Sequence, residues 1–158
     1  DLLGACTSGL YAADIVRKTL LSPENKKAYG LVVGAEVMSR LMDFTDTNSD
    51  LFGDGAGALV LERSDASRGI IWAETGSDPW GAETTYSYGH DTRFHESAVP
   101  QRIYLSGHEV QKYVLKIIPE LVLKTIHNAN RGLGLSIKPE DIDMFVCHQA
   151  NARVFDLP

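Results

Sequence analysis

The chain has 158 residues, of which 44% are hydrophobic and 23% charged, and its formal net charge at pH 7 is −6. This is an ordinary globular balance, which excludes a disordered chain. The sequence has no run of Lys or Arg that could bind along the phosphate backbone of a nucleic acid, so we expect no nucleic-acid partner. No apolar stretch approaches the roughly 20 residues of a membrane span, so we expect no membrane partner either.

The sequence contains two cysteines, Cys6 and Cys147. This number is too small for a disulfide scaffold and indicates free thiols in a reducing, cytoplasmic compartment. The chain begins with Asp rather than Met, and we expect it to be an internal piece of a longer protein.

Helical and extended patterns alternate in the first half of the chain. Apolar residues recur at helical spacing over residues 10–20, directly after Cys6. Short apolar runs predict strands over residues 28–37, 58–63 and 69–75. The first run is continuous, which predicts a strand that is buried on both faces.

The same alternation continues in the second half. The polar, irregular residues 76–102 predict a long functional loop. A long helix is predicted from Ser106, with a kink or bend at Pro119. An apolar run predicts a last buried strand that ends at His148, and residues 151–156 predict the start of another helix. The alternation favours an α/β fold with a largely covered sheet.

Cys6 stands where the first predicted helix begins, among small residues. A thiol attacks as its thiolate, and the partial positive charge of a helix N-terminus favours negative charge there. The same amide groups could receive the oxyanion of a bound thioester. Cys6 is therefore a candidate nucleophile, and the alternative is a structural cysteine packed under the helix.

His148 follows the last predicted strand, at the carboxyl edge where α/β sheets gather catalytic groups. Gln149 and Asn151 come after it and could hold one tautomer of its ring. The alternative is a structural histidine with satisfied hydrogen bonds. Cys147 is expected to point to the opposite face of the strand and to fill the core.

The segment LFGDGAGALVLE formally fits a dinucleotide-binding loop, G-x-G-x-x-A, with Gly53, Gly55 and Ala58. A strand follows where a helix is required, so no helix N-terminus is available for a pyrophosphate. We interpret the glycines as a tight turn before a strand, with Asp54 hydrogen-bonded within it.

Four potential metal ligands lie in the long loop: His90, Asp91, His95 and Glu96. No predicted helix or strand fixes their positions, so we predict a solvated loop covering the pocket rather than a metal site.

Five segments resemble the β-ketoacyl-acyl-carrier-protein synthase III family of thiolase-like condensing enzymes in their order and approximate spacing. They are GACTSGLYAAD, LVVGAEVMSRLMDFTD, LFGDGAGALVLE, SGHEVQKYVL and DMFVCHQANARVF. The resemblance covers nearly the whole chain apart from residues 76–102. It implies a thiolase-like α/β fold of αβαβα layers, of which residues 1–158 form the central part, truncated at both ends.

The resemblance implies an acyltransferase that performs a decarboxylative Claisen condensation in fatty acid or polyketide biosynthesis. Cys6 would accept the acyl group, and His148 would assist decarboxylation of a malonyl thioester and stabilise the enolate. Five further residues fall at substrate-binding positions of the family: Leu51, Phe52, Lys112, Asn151 and Arg153. The first two could instead be core, and the basic residues could be solvated surface charges.

The implied partners are an acyl-coenzyme A or acyl-carrier-protein thioester, malonyl-acyl-carrier-protein and a second copy of the chain, with no cofactor. Thr47 stands where relatives often carry an arginine that contacts coenzyme A, which leaves room for another donor. The family's catalytic asparagine matches no position here. We therefore expect the isolated 158 residues not to complete condensation.

Two other classes of function fit part of the pattern. A papain-like protease separates its cysteine and histidine by about 130–150 residues, but its C-G-[SA]-C-[WY] signature is absent. A non-catalytic, synthase-derived fragment could act in dimerisation or carrier-protein binding. The presence of both Cys6 and His148 favours the enzyme.

Overall fold

The structure, a computed structural model, describes residues 1–64, 68–87 and 103–150. Its longer elements are α1 (Ser8–Leu21), β1 (Tyr29–Val37), β2 (Asp54–Glu62), β3 (Thr85–Ser87), β4 (Ile103–Leu105) and α2 (Gly107–Leu133). Short 3₁₀ turns lie at Ala5–Thr7, Met38–Arg40, Thr47–Leu51, Pro79–Gly81 and Pro139–Asp141. The chain divides into a first unit, residues 1–36 with 55–76, and a second unit, residues 37–54 with 77–158.

In the first unit, β1 and β2 pair as a two-stranded sheet. The N–H of Arg63 donates to the carbonyl of Ala28 over 2.8 Å, so the end of β2 lies beside the start of β1, as in an antiparallel pair. The Arg63 guanidinium also donates to the carbonyls of Ser22 and Asn25. The end of the sheet is thereby tied to the turn that follows α1.

Helix α1 lies directly on the backbone of β1. A Cβ added to Gly30 would overlap Cγ1 of Val16 and would lie 3.4 Å from Cδ1 of Leu20. Leu20 on the helix and Val32 on the strand are both buried, and Val32 shares the face of Gly30 because side chains alternate along a strand. This contact forms the core of the first unit.

The strands predicted over 28–37 and 58–63 are confirmed as β1 and β2. The prediction that the first is buried on both faces is wrong, since Leu31 and Val33 are 61% and 63% exposed. An apolar run favours a strand, but each face is buried only where another layer packs on it. In the described part of the chain, α1 supplies that layer for the face of Gly30 and Val32.

In the second unit, β3 and β4 form an antiparallel pair in which Tyr86 lies opposite Tyr104, with ring centroids 4.9 Å apart. The N–H of Ser106 donates to the carbonyl of Thr84 over 2.8 Å and joins this pair to the start of α2. The predicted long helix is confirmed as α2, which continues through Pro119. Residues 76–102, which were predicted to be a loop, contain β3 and the 3₁₀ turn Pro79–Gly81 in their described part.

Two predicted strands are not formed. Residues 70–78 and 142–149 have neither helix nor strand, and Ile71 and Val146 are 45% and 78% exposed. A strand needs a hydrogen-bonded neighbour, and no ladder within the described ranges includes these runs. The helix start predicted at 151–156 lies outside the described residues.

Neither α1 nor α2 has the combination of length and apolarity that a membrane crossing requires.

Gly30→Ala is expected to lower the free energy of unfolding by about 1–3 kcal/mol, because the added methyl group pushes Val16 and α1 away from β1. Chemical denaturation measures the loss. Gly34→Ala in the same strand is the matched control, since its Cβ would meet nothing within 4 Å. Its effect should stay within about 0.5 kcal/mol. Equal losses in both variants would show that the helix contact is not the cause.

Candidate active site

Cys6 lies in the 3₁₀ turn Ala5–Thr7, immediately before α1, and it is exposed. The preceding residue, Ala5, has a φ of 48°, in the left-handed region that residues with a Cβ rarely adopt. The chain therefore bends sharply just before the thiol. The predicted position of Cys6 at a helix start is confirmed.

The hydroxyl groups that follow Cys6 turn back toward Gly4. Oγ1 of Thr7 donates to the Gly4 carbonyl over 2.7 Å, and the Gly4 N–H donates to Oγ of Ser8 over 2.7 Å. Thr7 directly precedes α1, yet it makes no side-chain capping bond to the helix. The Thr7 N–H donates to the Gly4 carbonyl over 3.2 Å and the Ser8 N–H donates to the Ala5 carbonyl, so the turn itself pairs the first two amides after Cys6.

Asp14 is 5% exposed although it is an acidic residue on the helix that follows Cys6. One carboxylate oxygen accepts two hydrogen bonds from the Arg17 guanidinium, over 2.9 and 3.1 Å, and the other lies 2.6 Å from Nζ of Lys18. The hydrogen bond from Lys18 holds the pKa of Asp14 below its ordinary value of 3.8, against the opposing effect of burial.

The sequence interpretation did not identify Asp14. The signal was present, because Arg17 and Lys18 follow the aspartate at the i+3 and i+4 spacing of helical ion pairs.

His148 lies in the irregular stretch 142–149 and is exposed, while Cys147 is half-buried. The prediction that His148 ends a strand is therefore wrong, since this stretch has no ladder partner among the described residues. Cys6 belongs to the first unit and His148 to the second.

Leu51 and Phe52 lie together at the end of the 3₁₀ turn Thr47–Leu51. Leu51 is 39% exposed and Phe52 is half-buried, so neither is enclosed in a core. Lys112 is exposed on α2 and its Nζ lies 3.0 Å from a carboxylate oxygen of Glu109, which is a surface ion pair of small energy. The two other predicted binding residues, Asn151 and Arg153, lie outside the described residues.

Asp54 accepts two hydrogen bonds from Ser39, one from its N–H over 2.7 Å and one from its hydroxyl over 2.6 Å. The hydroxyl bond is the main cause that lowers the pKa of Asp54 from 3.8. A hydrogen-bonded Asp54 is confirmed, but its partner follows β1 rather than lying within the glycine turn. Gly55 and Gly57 lie within β2, so the interpretation of these glycines as a tight turn before the strand is wrong, while the strand predicted after Gly53 is formed.

The second unit also contains a cavity of about 310 Å³ that the sequence did not indicate. Asp78, Thr84, Val110 and Tyr113 are among its lining residues. The Tyr113 hydroxyl donates to Asp78 over 2.8 Å, and this bond raises the pKa of Tyr113. None of the predicted site residues lines this cavity.

No group of three His, Cys, Asp or Glu side chains able to hold a metal ion occurs within residues 1–64, 68–87 and 103–150. The four potential ligands of the long loop, His90, Asp91, His95 and Glu96, lie outside those ranges.

Residues 1–79 match the family model described as 3-oxoacyl-[acyl-carrier-protein (ACP)] synthase III. A β-ketoacyl-[acyl-carrier-protein] synthase III of Syntrophomonas wolfei is 37% identical and covers 98% of this chain and 46% of the relative. The enzyme of the same name from Staphylococcus saprophyticus is 34% identical and covers 99% and 45%.

Solved structures of synthase III proteins are also similar to this chain. The β-ketoacyl-[acyl carrier protein] synthase III of Thermus thermophilus is 33% identical with a TM-score of 0.78, covering 99% of this chain and 47% of the other. The synthase III of Aquifex aeolicus is 29% identical with a TM-score of 0.71, covering 98% and 44%.

The chain therefore belongs to the 3-oxoacyl-[acyl-carrier-protein] synthase III family, and its fold is thiolase-like α/β. The resemblance found in the sequence motifs is confirmed. The chain spans about half the length of the curated relatives that it matches.

Asp14→Asn should lower the free energy of unfolding at pH 7 by about 1.5–3 kcal/mol, the range of hydrogen bonds to charged groups. The lowered pKa means that the folded carboxyl binds its proton less tightly than the unfolded one. The ionised Asp14 carboxylate therefore makes its full contribution to the free energy of unfolding above pH 3.8, and this contribution is lost as the pH falls through the pKa of the folded state.

Chemical denaturation measures the free energy of unfolding of the unaltered protein and of Asp14→Asn. The difference between the two should therefore become small in acid. Glu24→Gln, an exposed residue in the turn after α1, is the control and should change little at any pH. A loss for Asp14→Asn that is the same at pH 7 and in acid would contradict the ion-pair explanation.

Proposed function

We propose that the protein is an acyltransferase of the synthase III type, which joins an acyl group to malonyl-acyl-carrier-protein with loss of carbon dioxide. The observation that carries this proposal is the exposed position of Cys6 in the sharp turn at the start of α1. The names of the relatives, β-ketoacyl-[acyl-carrier-protein] synthase III, support the same reaction.

In the first half-reaction, the Cys6 thiolate attacks the carbonyl carbon of an acyl thioester. A new carbon–sulfur bond forms, the donor's carbon–sulfur bond breaks, and the donor leaves as a thiolate that takes up a proton. Negative charge develops on the carbonyl oxygen during attack, and N–H groups at a helix start stabilise such charge without reorganisation. The exposure of Cys6 is consistent with entry of a thioester.

In the second half-reaction, His148 assists the decarboxylation of the malonyl thioester. The carbon–carbon bond to the carboxylate breaks, carbon dioxide leaves, and the electron pair is held as an enolate whose oxygen accepts a hydrogen bond from the imidazole. The enolate carbon then attacks the acyl group on Cys6. A carbon–carbon bond forms, the bond to Cys6 breaks, and the thiolate is regenerated.

Leu51 and Phe52 contact the acyl chain in this proposal, and their partial exposure suits apolar residues that a ligand covers. Lys112, Asn151 and Arg153 contact the carrier-protein or pantetheine part of the substrates. The donor is an acyl-coenzyme A or acyl-carrier-protein thioester. The protein works in the cytoplasm as a homodimer and needs no metal or cofactor, since a thiol and an acid–base group suffice for both steps.

Incubation of the whole protein with a short acyl thioester should acylate Cys6, because it is the exposed thiol at the helix start. Mass spectrometry of tryptic peptides locates the adduct. The matched control is Cys147→Ala, which should leave the extent of acylation unchanged, whereas Cys6→Ala should abolish it. Acylation on Cys147, or on neither cysteine, would contradict the assignment.

In the whole protein, His148→Ala should slow malonyl decarboxylation by about 10²–10⁴-fold, the usual contribution of a positioned acid–base group. Acylation of Cys6 should change far less, since that step depends on the thiolate and the helix amides. Each half-reaction is assayed alone with radiolabelled thioester. His127→Ala, at an exposed histidine of α2, is the control. Equal losses in both half-reactions would instead show that His148 activates Cys6.

A further inference from the structure

Residues 38–53, the connecting segment, join β1 to β2 and end in Leu51 and Phe52. Both side chains are partly exposed, so a core does not hold them in place. Their positions depend on how the connecting segment itself is held. Two sets of hydrogen bonds hold it, one on each side of Leu51 and Phe52.

The first anchor closes the base of the connecting segment. Both carboxylate oxygens of Asp54 accept hydrogen bonds from Ser39, over 2.7 Å from its N–H and 2.6 Å from its hydroxyl. A two-point contact fixes the orientation of the carboxylate as well as its distance. Asp54 follows Phe52 by two residues, so this anchor restricts the position of the Phe52 backbone.

The second anchor lies before Leu51. Asp46 accepts hydrogen bonds from the backbone N–H and the side-chain amide of Asn48, over 2.8 and 3.0 Å, and so caps the turn Thr47–Leu51. The same amide also donates to the carbonyl of Leu105 over 3.4 Å. Asn48 therefore attaches the turn to the end of β4.

Two further contacts join the connecting segment to the same place. The N–H of Ile103 donates to the carbonyl of Leu41 over 3.1 Å. A Cβ on Gly107, the first residue of α2, would lie 3.1 Å from Oδ1 of Asn48. The glycine thus permits the close approach of the turn to the start of α2.

We propose that Ser39, Asp54 and Asn48 are positioning residues that set acyl chain-length selectivity by fixing Leu51 and Phe52. The inference rests on the proposed function, because it takes Leu51 and Phe52 as the wall that meets the acyl chain. An apolar wall discriminates between chains that differ by methylene groups only when it is held in place. The two anchors supply that rigidity.

The test compares Ser39→Ala with Thr45→Val in the whole protein. Each change removes one 2.6 Å hydroxyl–carboxylate hydrogen bond from the connecting segment, but the Thr45 bond is local to Asp43 and lies outside both anchors. The rate of Cys6 acylation is measured with acetyl and hexanoyl thioesters of pantetheine. Hydrogen exchange of peptides covering residues 47–53 is measured in parallel.

Ser39→Ala should change the acetyl-to-hexanoyl rate ratio by about 3–10-fold, within the discrimination that apolar pockets achieve, and should speed exchange over 47–53. Asp54→Asn, which cannot accept both bonds with the same strength, should act in the same direction. Ser39→Thr keeps the hydroxyl and should restore the ratio. Thr45→Val should leave both measurements unchanged.

An unchanged ratio and unchanged exchange in Ser39→Ala would overturn the positioning role while the proposed function stands. Equal changes in Thr45→Val would also overturn it, by showing that any loosening of the connecting segment suffices. If Cys6 of the unaltered protein is not acylated, the proposed function fails and the selectivity role fails with it.

Discussion

The close contact of α1 with the backbone of β1 at Gly30 is the constraint on which the first unit depends. The absence of a side chain at Gly30 lets Val16 and Leu20 approach the strand, and the buried side chain of Val32 continues that contact. Because a helix is a stiff rod, the packing of its middle fixes the direction in which its N-terminus points. The position of Cys6 at that N-terminus therefore follows from a contact made about three to four turns away.

Charge is distributed along α1 in a way that suits a nucleophile at its start. The first turn has no acidic side chain, so no carboxylate of α1 lies in the turn that follows Cys6. The acidic group of the helix, Asp14, is neutralised by Arg17 and Lys18 within its own turn. The helix thus carries its buried carboxylate without opposing negative charge at Cys6.

The sequence predicts those features that depend on neighbours along the chain. Helical periodicity located α1 and α2, and apolar runs located β1 and β2. Five motif segments, which include those around Cys6 and His148, also predicted the family. The runs at 69–75 and 143–148 failed as strands, since a ladder depends on a partner that local pattern does not contain.

Long-range polar pairs were missed for the same reason. Asp54 was expected to bond within its own turn, yet its partner is Ser39, on the far side of the connecting segment. The sequence analysis did not single out Asn48, but its side-chain amide joins the turn Thr47–Leu51 to Leu105. Such pairs depend on how a segment folds back on itself, so only the structure reveals them.

The central claim, that Cys6 carries the acyl group between two half-reactions, is tested most directly by pre-steady-state release of thiol from an acyl thioester without any malonyl substrate. Covalent catalysis predicts a rapid burst of one thiol per chain, followed by almost no further release. The burst should be absent in Cys6→Ala. Steady release without a burst, or a burst that survives the loss of Cys6, would contradict the claim.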